Sequence, residues 1–579
     1  MQRYFYKTGI LLALVVALSS CGEGPVQKQQ EKQAKGGVVK YGGVFKGNEE
    51  MDFRTLFPHG IGEVVGYRIA SQIYEGLLSL DQKDLSIQNR LAESYEVNED
   101  ATVFTFKIRK GVKFHDDECF SNGRGREVTA HDFKYSFDRL CGSYSDNAGY
   151  AIFKGRVKGA EEYYESTIKG NHLKEGVEGI KVLDDYTLEI QLNYSFAGFV
   201  NILSSNFCWV FPKEAVEKYG VDVRVNPVGT GAFYAKEIRE GDVVYLKSNP
   251  NYWRLDEFGN QLPYLSAVQV SFIKDKKSEF LEFKKKNLDF VFGIPDELIN
   301  EILEPQSSGA KNEFKLDVEK ALSVQYYGFQ HHHGVFQDKR VRQAFAMAID
   351  KEKIVRFILQ GNGFPARYGM VPPAFSEYDN SEITGYKFDP EKARALLKEA
   401  GYPNALGFPE MTLQLNSAGA SGRNKIVAET IKNQLKENLG VDVKLEILPW
   451  GQHLENLESG KALFWRAGWV ADYPDPESFL NLFYGEHVPD SLSDPAYFNN
   501  FRYVNPEFDE VFEKALREVD EKQRMIYYQE ADKIATQDAA VLPIYYEENY
   551  RLKRPWIKNF PSNAMEYRDL SVVYIDKKK

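Results

Sequence analysis

The chain has 579 residues, of which 43% are hydrophobic and 14% are aromatic, and its formal net charge at pH 7 is −11. This length predicts roughly three or four folding units, and the apolar content is too high for a largely disordered protein. The negative charge argues against nucleic acid or an anionic membrane surface as the main partner, because both are bound through clustered cations.

The N-terminus has the pattern of a bacterial export signal. Basic residues within the first seven positions precede an apolar run over residues 9–18, which is about half the length that a membrane-spanning helix needs. We therefore predict a signal peptide over residues 1–20. The segment LSSC resembles a lipobox, which implies that Cys21 is lipidated; a plain signal peptide with an incidental cysteine is the alternative. Residues 21–40 are predicted to form a flexible tether behind the lipidated cysteine.

Three further cysteines follow, namely Cys119, Cys141 and Cys208. An odd number of cysteines in an exported protein implies at least one free thiol or an intermolecular bond. Cys119 and Cys141 either form a disulfide or remain thiols, because the sequence does not report their separation in space. No CxxC pair is present, so a cysteine metal site is not predicted.

Alternation of apolar and polar residues predicts strands in the first half of the mature chain. In ATVFTFKIRKGVKF, the apolar residues Phe104, Phe106 and Ile108 share one face and polar residues occupy the other. The same alternation occurs in YTLEIQLN, and further strands are predicted for VVYLKSNPNYW and AVQVSFI. No repeat of roughly 20 to 50 residues recurs, so a solenoid or a propeller is not expected.

Helices are predicted to dominate the second half. In DKRVRQAFAMAIDKEKIVRFI, apolar residues recur every four positions and predict one helix over residues 338–358. In FDPEKARALLKEAGY, Asp389 is expected to cap a helix that Gly401 ends. Two more amphipathic helices are predicted over residues 505–537, and VLPIYYEENYRL then returns to strand character.

The short motifs that mark many enzymes are missing from this sequence. It contains no HExxH, no GxSxG, no GxxxxGK[ST] and no GxGxxG after a strand, so we predict a protein that is not an enzyme and needs no cofactor. An exported hydrolase without such a motif is the alternative. His331, His332 and His333 are weak metal candidates, because adjacent imidazoles in an extended segment point to alternate sides; a solvated loop is the favoured interpretation.

Several blocks together resemble the peptide-type, family 5 extracellular solute-binding proteins of ABC importers. They are RLAESYEVNEDATVFTFKIRKGVKFHDDE, EVTAHDFKYSFDRL, NPVGTGAFYAKE, NPNYW, GVFQDKRVRQAFAMAID, FDPEKARALLKEAGYP and GWVADYPDP. The blocks follow the family's order from about Tyr41 to Pro543, which is nearly the whole mature chain. The sequence departs from the family pattern in the insertion CFSNGRGRE and in the histidine run.

The resemblance implies an α/β fold with two lobes, of the class II periplasmic-binding-protein type, with an extra subdomain and the ligand between the lobes. Lobe I would be discontinuous and lobe II continuous, with two strands, 321–329 and 541–546, crossing between them. The implied boundaries are 41–77, 207–322 and 541–579 for lobe I, 78–206 for the extra subdomain and 323–540 for lobe II.

The function that the resemblance implies is transport. It implies a monomeric, lipid-anchored, extracytoplasmic protein on the periplasmic side or outer surface of the cell membrane. Such a protein would capture short peptides and deliver them to the permease of an ABC transporter, without catalysis. The alternative is the same fold binding a non-peptide solute such as a nickel or other metal chelate, because a fold alone does not decide the ligand.

The stretch RAGWVADYPDP carries the ligand-binding residues that the resemblance implies. Asp472 would accept the ammonium of a peptide, and Arg466 would meet the carboxylate of a short one. Ala467, Gly468 and Trp469 would offer a backbone edge to the ligand, and Trp469 would wall a side-chain pocket.

Each of these residues also has a structural interpretation. Asp472 can instead form an Asx-turn before Pro474, Arg466 can form an internal ion pair, and Trp469 can belong to the core. Asp475 is predicted to cap the short helix that follows it.

Overall fold

The computed structural model describes residues 35, 39–294, 298, 302, 313–375, 378–416, 422–491, 494–496 and 498–577. The predicted signal peptide, Cys21 and nearly all of the predicted tether lie outside the described residues. Within the described part of the chain, no helix combines the length and apolarity needed to cross a membrane.

Strands and helices alternate irregularly along the chain. The strands are β1 Val44–Asn48, β2 Leu78–Leu80, β3 Ile87–Asn89, β4 Ala92–Val97, β5 Val103–Ile108, β6 Ile180–Asp184, β7 Thr187–Gln191, β8 Phe233–Arg239, β9 Val243–Ser248, β10 Ala267–Ser271, β11 Phe290–Phe292, β12 Lys315–Phe329, β13 Phe364–Pro365, β14 Met411–Asn416, β15 Val443–Leu448, β16 Phe464–Val470, β17 Val541–Lys553, β18 Ile557–Lys558 and β19 Tyr574–Ile575. The helices are α1 Val64–Ala70, α2 Ala130–Leu140, α3 Ala160–Ile168, α4 Phe199–Ile202, α5 Lys213–Tyr219, α6 Lys276–Lys284, α7 Lys339–Met347, α8 Lys351–Lys353, α9 Pro390–Glu399, α10 Arg423–Leu439, α11 Trp450–Glu458, α12 Glu477–Leu480, α13 Pro506–Arg517 and α14 Glu521–Gln537.

Two four-stranded sheets form from the first half of the chain. The order of one is β1-β10-β9-β8 and that of the other is β4-β5-β7-β6. Phe104, Phe106 and Ile108 of β5 are buried, as their alternation predicts, and so are Leu188 and Ile190 of the adjacent β7. The predicted strands of this region are therefore confirmed, because a sheet with one buried face requires apolar residues at every second position.

A larger sheet has the order β11-β17-β12-β16-β14-β15, with β13 added on β17. Its two long strands, β12 and β17, pair with each other from Lys315↔Lys553 to Gly328↔Val541, with register shifts between Lys320 and Val324 and between Gln325 and Tyr326. At one end β17 also pairs with β11, and at the other end β12 pairs with β16. Both segments predicted to cross between lobes are thus strands, and each is longer than predicted. The lobe boundaries themselves stay a prediction.

The helix predicted over residues 338–358 is wrong in its length. Helix α7 ends at Met347. Asp350 has an extended backbone conformation, and its side-chain carboxylate accepts the Lys353 N–H. The short α8 then continues as a π-helical turn over Ile354–Ile358. The break arises because an aspartate carboxylate competes for backbone N–H groups and so favours a helix start over a helix interior.

The cap predicted for the next helix is confirmed. Asp389 accepts the N–H of Lys392 at 3.0 Å, and Pro390 occupies the first turn of α9. Gly401 follows with a φ of +96°, a conformation that favours glycine and ends the helix. Helices α13 and α14 and strand β17 also confirm the predictions for the C-terminal third.

The open question of a disulfide is answered by three free thiols at Cys119, Cys141 and Cys208. Cys119 is half-buried in a turn where its N–H donates to Asp117, whereas Cys141 is buried at the end of α2. Burial raises the pKa of Cys119 to about 12, with Asp117 adding to the effect, and burial also raises the pKa of Cys208 to about 12. These thiols stay protonated and pack as small apolar groups.

Candidate ligand-binding site

A cleft of about 370 Å³ lies against one face of the large sheet. This volume falls within the range of small-molecule sites. The N-terminal part of the chain contributes the segment 48–51 and α1, and the C-terminal part contributes α10, β16 and β17. Residues that line the cleft include Asn48, Glu49, Glu50, Arg68, Lys276, Ser323, Asn416, Arg423, Arg466, Val470, Tyr545, Glu547, Asn549 and Glu566.

Strand alternation decides which side chains of β16 face this cleft. Arg466, Gly468 and Val470 lie opposite Tyr327, Gln325 and Ser323 of β12, respectively. Directly opposed residues share a sheet face, and the intervening residues of each strand point to the other face. Arg466 and Val470 accordingly line the cleft.

Ala467 and Trp469 belong to the opposite face of the sheet. Ala467 is buried in the apolar core, and Trp469 is half-buried against the same core. The Trp469 ring lies 6.1 Å from the ring of Phe498, and its Nε1 is 3.5 Å from Ser478 Oγ. Trp469 does not line this cleft, because the alternation of β16 places its indole on the opposite face, against the core; its role as the wall of a ligand pocket stays a prediction.

The backbone edge of β16 is open next to the cleft. Among the described residues, β14 pairs with β16 only at Phe464 and Trp465. The Ala471 N–H donates to Leu322 O of β12, and the Arg466 carbonyl accepts from His453 on the other side. Because backbone groups alternate in direction along a strand, Gly468 and Val470 direct theirs away from β12.

This direction corrects the predicted backbone edge. The N–H and C=O groups of Gly468 point to the open edge, as predicted, whereas those of Ala467 and Trp469 point towards β12. A Cβ atom on Gly468 would lie 2.6 Å from Gln325 Nε2, so glycine also makes room for that amide.

Arg466 is held by neutral partners. Its Nη1 donates to Asn416 Oδ1 at 3.1 Å, and its Nη2 donates to Gln325 Oε1. No carboxylate lies within 4.0 Å of its guanidinium in the described part of the chain. The structural alternative of an internal ion pair is therefore not found, and the positive charge is available to an anion at the cleft wall.

Asp472 follows two residues after Val470 and is half-buried. Its N–H donates to Ser478 Oγ at 3.1 Å, but within the described ranges its carboxylate has no hydrogen-bond donor, no cation and no Asx-turn. Burial, and then the nearby Glu477 charge, raise the pKa of Asp472 to about 7. The pKa of Tyr67 on α1 is raised by burial first, then by Tyr567 and by the charge of Asp472. The Asp472 carboxylate therefore lies close to Tyr67. It does not line the 370 Å³ cleft itself.

The segment after Asp472 is fixed by buried polar contacts that the sequence did not reveal. The guanidinium of Arg156 donates to the Glu477 carboxylate, and their side chains are 3% and 0% exposed. Asp475 Oδ1 accepts the Glu477 N–H at 2.9 Å, but Pro476 occupies the N-cap position, so the predicted N-cap is one residue off. Asp475 Oδ2 accepts from Asn201 at 3.0 Å. No local pattern signals the Arg156–Glu477 pair, because its members are 321 residues apart.

The three histidines separate in the structure. His331 is half-buried, with its Nε2 2.8 Å from the Ala540 carbonyl oxygen, whereas His332 and His333 are exposed. Burial, and then Arg342, lower the pKa of His331 to about 3. The solvated-loop interpretation holds for His332 and His333 and is wrong for His331. In the described ranges, no group of three His, Cys, Asp or Glu residues is placed to hold a metal ion.

Comparisons with known proteins support the fold. The model of the bacterial extracellular solute-binding proteins, family 5 middle region, matches residues 86–489. The chain is 30% identical to the periplasmic oligopeptide-binding protein OppA of Salmonella typhimurium, over 95% of this chain and 94% of that protein. It is 27% identical to heme-binding protein A of Haemophilus influenzae, over 90% of each chain. The structure of the periplasmic binding protein DppA of Helicobacter pylori in complex with the peptide STSA superposes with a TM-score of 0.79 at 25% identity, covering 93% of this chain and 99% of that one.

Proposed function

The chain belongs to the bacterial extracellular solute-binding proteins of family 5, and from this premise we propose that it captures short peptides for an ABC transporter permease. In this proposal the protein acts as a monomer, without catalysis, and is held to the cell membrane through a lipid on Cys21. The similarity to an oligopeptide-binding protein and to a structure with a bound peptide supports a peptide ligand.

The observation that carries the proposal is the carboxylate of Asp472, which has no partner among the described residues and is half-buried beside the open edge of β16. A peptide always offers an ammonium, a backbone and a carboxylate, whatever its side chains. Asp472, the Gly468 edge and Arg466 have the complementary charges and hydrogen-bonding groups. Asp472 and Arg466 are at most about 20 Å apart along an extended chain, a span that suits up to about six ligand residues.

Calorimetry with alanine peptides of two to six residues tests this function. Each length is titrated as the free peptide, the N-acetylated peptide and the C-terminal amide. We expect at least one free peptide to bind and its N-acetylated form to bind far more weakly, because acetylation removes the charge that Asp472 pairs with. Absence of binding by every free peptide, or equal affinity after acetylation, contradicts the proposal.

The pKa of Asp472 predicts how peptide affinity depends on pH. The complex requires an ionised Asp472, whose pKa in the free protein is about 7, and a protonated peptide amine, whose ordinary pKa is about 8. Affinity should therefore peak between about pH 7 and 8 and fall about tenfold for each pH unit below that range. Calorimetry in buffers of different ionisation heat should show proton release on binding at pH 6 and proton uptake at pH 9. In Asp472→Asn the acidic limb should vanish, and an unchanged acidic limb in that variant contradicts the assignment.

The alternative ligand, a metal chelate, has weaker support from the site. His331 Nε2 faces the Ala540 carbonyl oxygen and is not available as a ligand atom in this arrangement. Similarity to a heme-binding relative nevertheless makes hemin and nickel ions informative additions to the same titrations.

A further inference from the structure

Most acidic side chains around the cleft have a cationic partner. Glu49 pairs with Arg68 and Arg568, both at 3.0 Å. Glu50 pairs with Lys276 at 2.5 Å. Glu566 lies 3.5 Å from the guanidinium groups of Arg551 and Arg568. Their charges are neutralised locally, so they offer little to a ligand cation.

Glu547 of β17 is different. Its carboxylate accepts a hydrogen bond from Ser323 Oγ at 2.5 Å, and no Lys, Arg or His of the described chain lies within 4.0 Å of it. The side chain is half-buried and lines the cleft. A partly desolvated carboxylate with one neutral partner retains capacity for a charge-assisted hydrogen bond from a cation.

The neighbouring Glu548 also lines the cleft and also lacks a cation among the described residues, but its hydrogen-bond partner differs. It lies opposite Lys320 in the strand register, and its carboxylate accepts the Tyr550 hydroxyl at 3.0 Å. Successive residues of a strand point to opposite faces, so Glu547 shares the face of Tyr545, which lies across Gln325 from Gly468.

A peptide bound at the open edge of β16 would need a long side chain to reach the Glu547 carboxylate. Ser323, the hydrogen-bond partner of Glu547, lies opposite Val470 of β16. A peptide added to the open edge of β16 would then run about three strand spacings, roughly 14 Å, from β17. An extended lysine or arginine side chain and an extended glutamate together span about that distance, whereas short polar side chains do not.

We propose that Glu547 is a specificity-determining residue that selects peptides carrying a lysine or arginine side chain. The inference rests on the proposed peptide-binding function and adds a ligand class to it. The carboxylate pairs with the side-chain cation inside the cleft, where water is partly excluded and the contact is stronger than at an exposed surface. The net charge of −11 favours the approach of such ligands as well.

The test compares lysine with its uncharged analogue norleucine. In the alanine peptide length that binds best, a single lysine is placed at each position in turn, and each peptide has a norleucine counterpart of similar shape. Affinities are measured by calorimetry for the wild type, Glu547→Gln and the matched control Glu548→Gln. Glu96→Gln, an exposed position on β4, controls for the change in net charge.

We expect the wild type to prefer lysine over norleucine by about tenfold or more at one position. Glu547→Gln should lose most of that preference and should still bind the alanine peptide, which shows that the variant is folded. Both control variants should keep the preference.

Two results overturn the inference while peptide binding itself stands. One is equal affinity of wild type for lysine and norleucine peptides at every position, and the other is loss of the preference in Glu548→Gln or Glu96→Gln to the same extent as in Glu547→Gln. Failure of the wild type to bind any of the peptides contradicts the proposed function instead.

Discussion

Replacement of Asp472 by asparagine should weaken the binding of free peptides by about 30- to 5,000-fold, which corresponds to about 2–5 kcal/mol. Asparagine keeps the size of the side chain but removes the negative charge, so the ligand ammonium would be desolvated without a counter-ion. N-acetylated peptides have no ammonium and should bind wild type and variant with similar affinity. The double comparison, measured by calorimetry, isolates the contact between Asp472 and the ammonium.

The same substitution should stabilise the free protein at alkaline pH. Folding raises the pKa of Asp472 from an ordinary value near 4 to about 7. A raised pKa gives stability that is fully present below the unfolded pKa and is lost as pH rises through about 7. Above that pH, wild type carries a desolvated charge and the asparagine variant does not. At pH 8 the free energy of unfolding of the variant should therefore exceed that of wild type by on the order of 1–3 kcal/mol. Thermal or urea unfolding without ligand measures the difference.

Asp509→Asn serves as the matched control. Burial raises the pKa of Asp509 to about 6, and its Oδ1 accepts the Gly485 N–H away from the cleft. This variant should bind free peptides like the wild type. Unaltered peptide affinity in Asp472→Asn, or an equal loss in Asp509→Asn, contradicts the role assigned to Asp472.

Replacement of Arg156 by methionine should destabilise the protein by about 3–5 kcal/mol. The Glu477 carboxylate is fully buried, and the substitution would leave it without its cation. Glu477 already interacts unfavourably with Asp472, so a second uncompensated negative charge would accumulate in one buried region. Urea unfolding followed by circular dichroism measures the loss.

An exposed arginine pair gives the control for this prediction. Arg224 contacts both oxygens of Glu240 at 2.6 and 3.0 Å, but the two side chains are 41% and 48% exposed. Arg224→Met should cost less than about 1 kcal/mol, because solvent screens exposed pairs. Adding Glu477→Gln to Arg156→Met should recover a large part of the lost stability by removing the unpaired charge. An equal cost for Arg156→Met and Arg224→Met contradicts the explanation.

Secondary structure was largely predictable because its signals are local. The alternation of Phe104, Phe106 and Ile108 and the cap at Asp389 each involve residues within one element, and the structure confirms both. The helix break at Asp350 was equally local, yet it was missed, since the apolar period on both sides continued through it. The polar character of Asp350 was the available signal.

The sequence by itself determined the family, the order of strands and helices and the positions of Arg466 and Asp472 in the chain, because motif spacing and near-neighbour chemistry are written along it. Only the tertiary structure decided that Trp469 faces the core, that Arg466 and Asp472 lack charged partners among the described residues, and that Arg156 lies beside Glu477. Those outcomes depend on which distant segments meet and on how a strand is turned in its sheet. A shift of one residue along a strand moves a side chain from the ligand-facing side of the sheet to the core side. No local pattern records the desolvation that raises the pKa of Asp472.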